Sequence, residues 1–262
     1  MMPTLEALGK DFAPLAVKLA AGTIDWTTGQ LVATGSAAAR KEALRQAAAN
    51  MLSLMGELEA GPSGFFLDRY GGGPTVESLL SDFAGDAEDV EAKAGRTTVR
   101  LRVPIHGLRS AVFARQVYYS GWPQWDIPRP RSGAAKFEAV VFDARETGFA
   151  PVIYPRVTLG GGACIFDGFF LRRDAPGPAA RPLYVTHSPR APAATKPAAL
   201  PPALALTGGG RGLVLRAVVP SGRAGRGSLV LHDDDAPRLA DCANAEKLLQ
   251  AGDVVIVADV PG

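Results

Sequence analysis

Cysteine, aromatic side chains and net charge are all scarce in this sequence. The chain of 262 residues has 2 cysteines, 7% aromatic residues and a formal net charge of +2. A nearly neutral chain lacks the concentrated basic field of most nucleic-acid-binding proteins, so we expect no nucleic-acid partner. Two cysteines far apart in the sequence do not form a metal-binding pattern, and we expect no metal and no other cofactor.

Long apolar runs are missing as well. No run approaches the roughly 18 uninterrupted apolar residues of a membrane-spanning helix, so we expect no transmembrane segment. Residues 12–21 are mildly apolar, but Lys18 interrupts them and Asp11 precedes them, which does not fit a signal peptide. On these residues alone we expect a cytoplasmic protein, or a mature or mis-started form of an exported one.

The two cysteines, Cys164 and Cys242, leave two alternatives open. They form a disulfide, or they are separate buried thiols, which is the default for so few cysteines. Cys164 follows a Gly-Gly-Gly-Ala stretch and is expected to begin a strand. The sequence has no Gly-x-Ser-x-Gly elbow, and we predict no hydrolytic triad and no enzyme.

The amino-terminal part of the chain predicts a hairpin followed by a long helix. Ordered structure is expected to begin at Gly22, with a turn at residues 27–29. Ser36 is expected to cap a helix over residues 37–58. Its core-facing positions recur at spacings of three and four: Leu44, Ala47, Ala48, Met51, Met55 and Leu58.

Taken together, the patterns predict an α+β protein of two small lobes. The first has a hairpin and a long amphipathic helix packed on a mostly antiparallel sheet. The second is a β-rich lobe that ends in a strand-strand-helix-strand unit, in which residues 254–257 form a strand buried on both faces. The predicted divisions are an N-terminal segment 1–21, a lobe 22–108, an aromatic and Pro-rich linker 109–135 and a lobe 136–262.

The run His232-Asp233-Asp234-Asp235 is the nearest thing to a metal site. Carboxylates beside an imidazole can bind a divalent cation, and a metal-dependent enzyme is therefore a remote alternative. However, Asp235 before Ala236-Pro237 is also the expected cap of a helix that reaches residue 250. We favour the cap.

The linker carries an aromatic cluster, formed by Tyr118, Tyr119, Trp122 and Trp125. These side chains either cover the protein's own core or form a protein-binding patch, since Trp and Tyr anchor many interfaces. Stacking on a glycan is a third alternative. The cluster is the candidate partner-binding site, for another protein or for a second copy of the chain.

The stretch FDARETGFAPVIYPRV places Asp143, Arg145 and Glu146 between two apolar segments. With no His or Cys nucleophile nearby, we interpret it as a structural corner rather than a catalytic loop. Gly148 relieves the backbone at the turn, and Pro151 favours an extended chain on re-entry. We expect Asp143 and Arg145 to bond the loop or each other, with Arg156 adding to the network.

Several stretches together resemble a bacterial cell-envelope family, the LPP-type lipoproteins and the related flagellar assembly protein T. They are GTIDWTTGQLVATGSA with the alanine-rich helix after it, TTVRLRVPIHG, the corner stretch, and the closing GLVLRAVV, LVLHDDDA and LLQAGDVVIVAD. In the corner the match falls on Asp143, Ala144, Arg145, Gly148, Pro151, Pro155 and Arg156. Glu146-Thr147 stand where the family has Gly-Leu.

The resemblance implies an α+β protein without enzymatic activity, periplasmic or associated with the outer membrane. It also implies contacts with other envelope proteins or with further copies of the chain, within an oligomer or a larger assembly, including flagellum-associated ones. The predicted function is therefore a structural or interaction protein of the cell envelope. A module that binds glycan or peptidoglycan through the aromatic cluster is the alternative.

Overall fold

A computed structural model describes residues 5–61, 64–65, 75–93, 95–105, 126–168, 182–187, 203–207, 209–220 and 227–260. The helices are α1 (Leu5–Leu8), α2 (Arg40–Gly56), α3 (Val76–Phe83) and α4 (Ala245–Ala251), with short 3-10 helices at Ala84–Asp86 and Ala236–Asp241. The strands of the first half are β1 (Phe12–Pro14), β2 (Ala16–Leu19), β3 (Gly22–Asp25), β4 (Gln30–Ala37), β5 (Glu59–Gly61), β6 (Gly64–Phe65), β7 (Glu88–Lys93) and β8 (Arg96–Pro104). Those of the second half are β9 (Ala139–Asp143), β10 (Arg156–Thr158), β11 (Cys164–Asp167), β12 (Leu183–His187), β13 (Ala203–Ala205), β14 (Arg211–Val218), β15 (Ser228–Leu231) and β16 (Val254–Val257).

The protein is α+β with mostly antiparallel strand pairing, as the sequence predicted. Its chain divides into two compact units. The smaller unit consists of Ala16–Ala60 and Gly64–Tyr119, and the larger unit of Met1–Leu15, Gly61–Ser63 and Ser120–Gly262. Within the described residues, no helix is both long enough and apolar enough to cross a membrane.

The smaller unit is an antiparallel sheet with α2 on one face. The strand order is β2-β3-β4-β8-β7. The alternating apolar residues of β8, Val99, Leu101 and Val103, are fully buried, which is the two-residue period that the sequence showed. Helix α2 lies directly against β4, because Gly35 has no side chain to hold it away: an added Cβ would collide with main-chain atoms of Ala43 and Ala47.

The prediction that Ser36 caps α2 is wrong. The helix begins at Arg40, after Ala39, and has no side-chain cap. Ser36 belongs to β4, where its hydroxyl accepts a hydrogen bond from Thr98 Oγ1 (3.2 Å) and its carbonyl accepts one from Arg96 Nη2 (2.6 Å). Pairing with β8 thus extends β4 beyond the point at which the local pattern predicted a helix.

The larger unit is built on a 9-stranded mixed sheet. Its main path is β1-β12-β16-β9-β14-β15-β10-β11, and β13 pairs with β14. The four central strands β12, β16, β9 and β14 run parallel to one another. All four residues of β16 have 0% exposure, so the strand is buried on both faces, as its continuous apolar sequence predicted.

The predicted helix before β16 is interrupted. A 3-10 helix at Ala236–Asp241 and α4 at Ala245–Ala251 are separated at Cys242 to Asn244, where Asn244 joins another part of the chain. Its side chain accepts a hydrogen bond from the Phe137 N–H (3.0 Å) and donates one to the Phe137 carbonyl (2.8 Å). Gly252, at φ 76°, ends α4 at the predicted residue.

The division of the chain differs from the predicted one at the ends of the lobes. Ordered strands begin before Gly22, because β1 pairs with β12 in the larger unit and β2 pairs with β3 in the smaller one. Residues 126–135, the described end of the predicted linker, belong to the larger unit. There Ala135 forms a β-bridge with Cys242. The aromatic cluster of Tyr118, Tyr119, Trp122 and Trp125 lies outside the described residues.

Candidate functional site

The corner after β9 brings several polar side chains of the larger unit together. Asp143 is the last residue of β9 and is paired with Val257 of β16 on one side and Arg216 of β14 on the other. The corner therefore lies at the carboxyl edge of the parallel strands, where open α/β sheets commonly bind ligands. The contacts of its side chains decide whether the corner can bind a ligand or catalyse a reaction on it.

Asp143 and Arg145 form a two-pronged ion pair. Arg145 Nε lies 2.8 Å from Asp143 Oδ1, and Arg145 Nη2 lies 2.8 Å from Asp143 Oδ2. The side chains are only 6% (Arg145) and 12% (Asp143) exposed. The hydrogen bond with Asp143 raises the pKa of Arg145 above its ordinary value. The expected pairing of these two residues is thus present, and the pair is mostly withdrawn from water.

The backbone after this pair makes a tight turn. Glu146 has φ 61°, in the left-handed region that favours glycine, and Gly148 has φ 72°. The Glu146 N–H donates to Asp259 Oδ2 (2.6 Å), and the Thr147 hydroxyl donates to the Ala144 carbonyl (2.6 Å). Asp259, which follows β16, therefore fixes the turn from the neighbouring strand.

The chain re-enters the core against Tyr184 of β12. The Tyr184 hydroxyl donates to the Val152 carbonyl (2.7 Å), and the Tyr184 ring stacks on Phe149 with centroids 6.5 Å apart. Phe149 and Tyr184 are 4% and 3% exposed. Pro151, also buried, lies between these contacts, and the segment bends at residues 153–154 before β10 begins.

Arg156 does not join the corner network, and that part of the prediction is wrong. It lies opposite Asp167 in the β10–β11 pair, and its Nη2 lies 2.8 Å from Asp167 Oδ2. Asp167 is 3% exposed, so Arg156 neutralises a buried carboxylate on the neighbouring strand. Strand register decides this partner, and the sequence around Arg156 does not show that register.

The His232-Asp233-Asp234-Asp235 run is organised by arginines. Asp235 Oδ2 accepts hydrogen bonds from the Arg216 N–H (2.7 Å) and Arg216 Nε (2.9 Å), while Oδ1 accepts one from Arg238 Nη1 (3.1 Å). Burial opposes ionisation of Asp235, but the hydrogen bonds from Arg216 and Arg238 outweigh it and lower its pKa to about 2. The predicted side-chain cap is absent, because this carboxylate is turned towards the arginines.

Both cysteines are free thiols, so the disulfide alternative is wrong. Cys164 Sγ lies 3.5 Å from the Phe166 carbonyl oxygen, and Cys242 Sγ lies 3.5 Å from Asn244 Oδ1. Burial raises the pKa of both thiols, which disfavours the reactive thiolate. In the part of the chain that the structure describes, no three His, Cys, Asp or Glu side chains are grouped to hold a metal.

Comparison with known proteins adds no relative: neither a protein-family model nor a curated protein matches the chain. The resemblance to the LPP-type and flagellar assembly proteins stays a prediction from the residues that carry it.

The sequence did not reveal three residues that make contacts at the corner or beside it: Asp259 with Glu146, Tyr184 with Val152, and Asp167 with Arg156. Asp259 carried a usable signal, because it directly follows a strand predicted to be buried on both faces, and polar residues at such strand ends meet at one edge. The other two carried none: the Tyr184 hydroxyl reaches the Val152 carbonyl from a strand 32 residues away in the sequence, and Asp167 lies opposite Arg156 through strand pairing.

Proposed function

We propose that this protein is a non-enzymatic structural or interaction protein of the bacterial cell envelope. It acts through protein contacts within an oligomer or a larger assembly, associated with the flagellum or the outer membrane. The resemblance of several stretches, in the same order along the chain, supports this assignment.

The observation that carries the proposal is the state of the corner residues. Asp143 and Arg145 are the polar residues of the family-like stretch that first suggested catalysis. Each holds the other at 2.8 Å in a buried pair, and the turn after them is tied to Asp259. An acid or base that works on a substrate needs a free face towards it. A buried pair within a turn that Asp259, just after β16, also holds supports a role in maintaining the fold.

Assembly in cells is the test of this proposal. The full chain is purified from native envelopes after mild cross-linking, and its mass is compared with that of the Trp122→Ala/Trp125→Ala variant. We expect a wild-type complex larger than one chain, and a variant that keeps its circular dichroism spectrum but is recovered mostly alone. A monomer at high concentration, with no partner recovered, contradicts the proposal.

The same variant separates the glycan-binding alternative. Titration of the pure protein with soluble peptidoglycan fragments should give no saturable signal if the protein works only through protein contacts. Saturable binding that is lost in the Trp122→Ala/Trp125→Ala variant favours the glycan-binding module instead.

A further inference from the structure

The two outer strands of the smaller unit's sheet carry its exposed apolar side chains. Strands β2 and β7 end the order β2-β3-β4-β8-β7, and no described strand pairs with the outer side of either. The large apolar side chains that are exposed in the described part of this unit are Leu19 (36%) on β2 and Val90 (41%) on β7. Among the described residues, each edge therefore has backbone groups without a strand partner beside an exposed apolar side chain.

Each edge carries one charge that the described ion pairs leave for a partner. On β7 (Glu-Asp-Val-Glu-Ala-Lys), Asp89 is paired with Arg40 and Glu88 with Arg100 and Arg102, so this charge is the carboxylate of Glu91, whereas on β2 (Ala-Val-Lys-Leu) it is the ammonium group of Lys18. Neither strand contains proline. The outer strand β1 of the larger unit does, at Pro14, a residue that blocks further strand pairing.

The strand register places Lys18 and Glu91 on the same face of the sheet. Lys18 is opposite Thr23, Thr23 is opposite Val32, and Val32 is opposite Arg102. Arg102 shares its face with Thr98, four residues earlier on β8, and Thr98 is opposite Glu91. This is the face away from α2. A sheet that continued from one copy into the next would thus keep the two charges on one surface.

We propose that β7 of one copy pairs with β2 of a second copy, so that the sheet continues from chain to chain. Pairing two β7 edges would bring two copies of Glu91 together, and pairing two β2 edges would bring two copies of Lys18 together, whereas the mixed pair joins Lys18 to Glu91. The contact is heterologous, and such contacts produce rings or open filaments. The inference rests on the proposed function, because it names a further contact, besides the aromatic cluster, through which the chain assembles with itself.

The contact is small. Strand β2 has 4 residues and β7 has 6. Because neighbouring strands of the five-stranded sheet alternate in direction, β2 and β7 run the same way, and a copy added with the same face outwards forms a parallel pair. Parallel pairs are slightly less stable than antiparallel ones. One such contact between two chains is weak and depends on protein concentration. Closure of a ring, in which every chain makes two contacts, raises the overall affinity.

A charge exchange tests the pairing. Lys18→Glu and Glu91→Lys are each expected to weaken self-association of the full chain about threefold to tenfold, measured by sedimentation velocity. An equimolar mixture should recover association, because the carboxylate introduced on β2 of one variant meets the ammonium group introduced on β7 of the other. The matched controls are Lys41→Glu and Glu42→Lys, which make the same charge changes at exposed positions of α2 and should alter nothing.

A second variant tests the apolar contact. Leu19→Glu removes the exposed Leu19 side chain and places a charged carboxylate at the proposed contact, beside Val90 and Glu91 of β7. We expect this variant to stay monomeric at concentrations at which the wild type assembles, with an unchanged circular dichroism spectrum.

The outcomes separate this inference from the proposed function. A wild-type oligomer that is indifferent to Leu19→Glu and to both charge variants overturns the strand pairing and leaves the assembly role standing. The same holds for variants that lose association but do not recover it when mixed. A wild-type chain that is monomeric at every concentration also overturns the inference, whereas the cross-linking in native envelopes tests the proposed function independently.

Discussion

Arg145 decides how the corner after β9 is held, because it neutralises a carboxylate that has almost no contact with water. Asp143 is 12% exposed and Arg145 is 6% exposed, and two hydrogen bonds of 2.8 Å join them. A buried ion pair contributes little net stability over an apolar pair of similar shape. Removal of one partner is far more costly, because it leaves the other charge buried alone.

We therefore expect Arg145→Ala to lower the free energy of unfolding by about 3–5 kcal/mol. The double variant Asp143→Ala/Arg145→Ala should lose less than Arg145→Ala alone, since it leaves no unpaired charge. Urea unfolding of the wild type and of the single and double variants gives the comparison. If the two single losses simply add in the double variant, the pair is not coupled and this account of the corner is wrong.

Glu146 is the one non-glycine residue with positive φ in the described chain. Glycine adopts φ 61° without the steric penalty that a Cβ brings there, roughly 1–2 kcal/mol, but it is also freer in the unfolded chain. We expect Glu146→Gly to stabilise the protein by about 0.5–1 kcal/mol, measured by urea unfolding. This position is also one where the resembling family has glycine.

Gly148 provides the opposite change in the same turn. Its φ is 72° and an added Cβ would meet nothing within 4 Å, so the backbone angle alone sets the effect. Gly148→Ala should destabilise by about 1 kcal/mol. Equal effects of Glu146→Gly and Gly148→Ala, in sign and size, would show that backbone strain does not govern the turn.

At the scale of elements, the close packing of α2 on β4 depends on the absence of a side chain at Gly35. Gly35 lets the helix backbone approach the strand, and a Cβ there would collide with the main chain of Ala43 and Ala47. Backbone atoms cannot move aside as the end of a flexible side chain can. The whole of α2, with its six buried residues, would have to shift or tilt.

Gly35→Ala should therefore destabilise the protein by about 3 kcal/mol or more, at the upper end of the cost of overpacking. The control is Gly85→Ala in the same unit, where an added Cβ meets nothing within 4 Å and φ is not positive. That change should stay within about 0.5 kcal/mol of the wild type. Similar midpoints for both variants in thermal unfolding would contradict the close approach of α2 and β4.

The elements that the sequence predicted well are those with a local cause. Strand β16 was evident from its continuous apolar run and β8 from its alternation. Strands β1 (Phe-Ala-Pro) and β2 (Ala-Val-Lys-Leu) were missed, because these short segments show neither pattern and are fixed by their pairing partners. Longer-range pairing also decided against the predicted cap at Ser36.

The candidate site divides in the same way. Pairing of Asp143 with Arg145 was predictable, because the two residues are next-but-one neighbours in a short turn. Arg156 was given the wrong partner, since its carboxylate comes from the opposite strand of a hairpin. Asp235 lies at the helix start that the sequence predicted, but its carboxylate is paired with Arg216 and Arg238 and does not cap the helix. The local sequence identified the polar residues, but the strand register determines which residues they contact.

At the scale of the whole molecule, the arginine–carboxylate pairs of the larger unit predict its response to acid. Asp235 is 4% exposed, and its pKa lies at about 2 instead of the ordinary value of 3.8. The folded state thus releases this proton more readily than the unfolded chain. The stabilisation is fully present above about pH 4 and is lost as the pH falls through the folded pKa of about 2.

This difference in pKa corresponds to about 2 kcal/mol of stability at neutral pH. We expect Asp235→Asn to lose roughly that amount at pH 7 and to flatten the fall in stability between about pH 4 and pH 2, measured by urea unfolding at several pH values. Asp234→Asn is the matched control, because that side chain is 75% exposed and contacts Arg216 only at 3.5 Å. An Asp235→Asn variant with the same acid dependence as the wild type would mean that other carboxylates carry the acid response. An equal loss of unfolding free energy in both variants would mean that the contacts of Asp235 with Arg216 and Arg238 contribute no more to stability than those of the exposed Asp234.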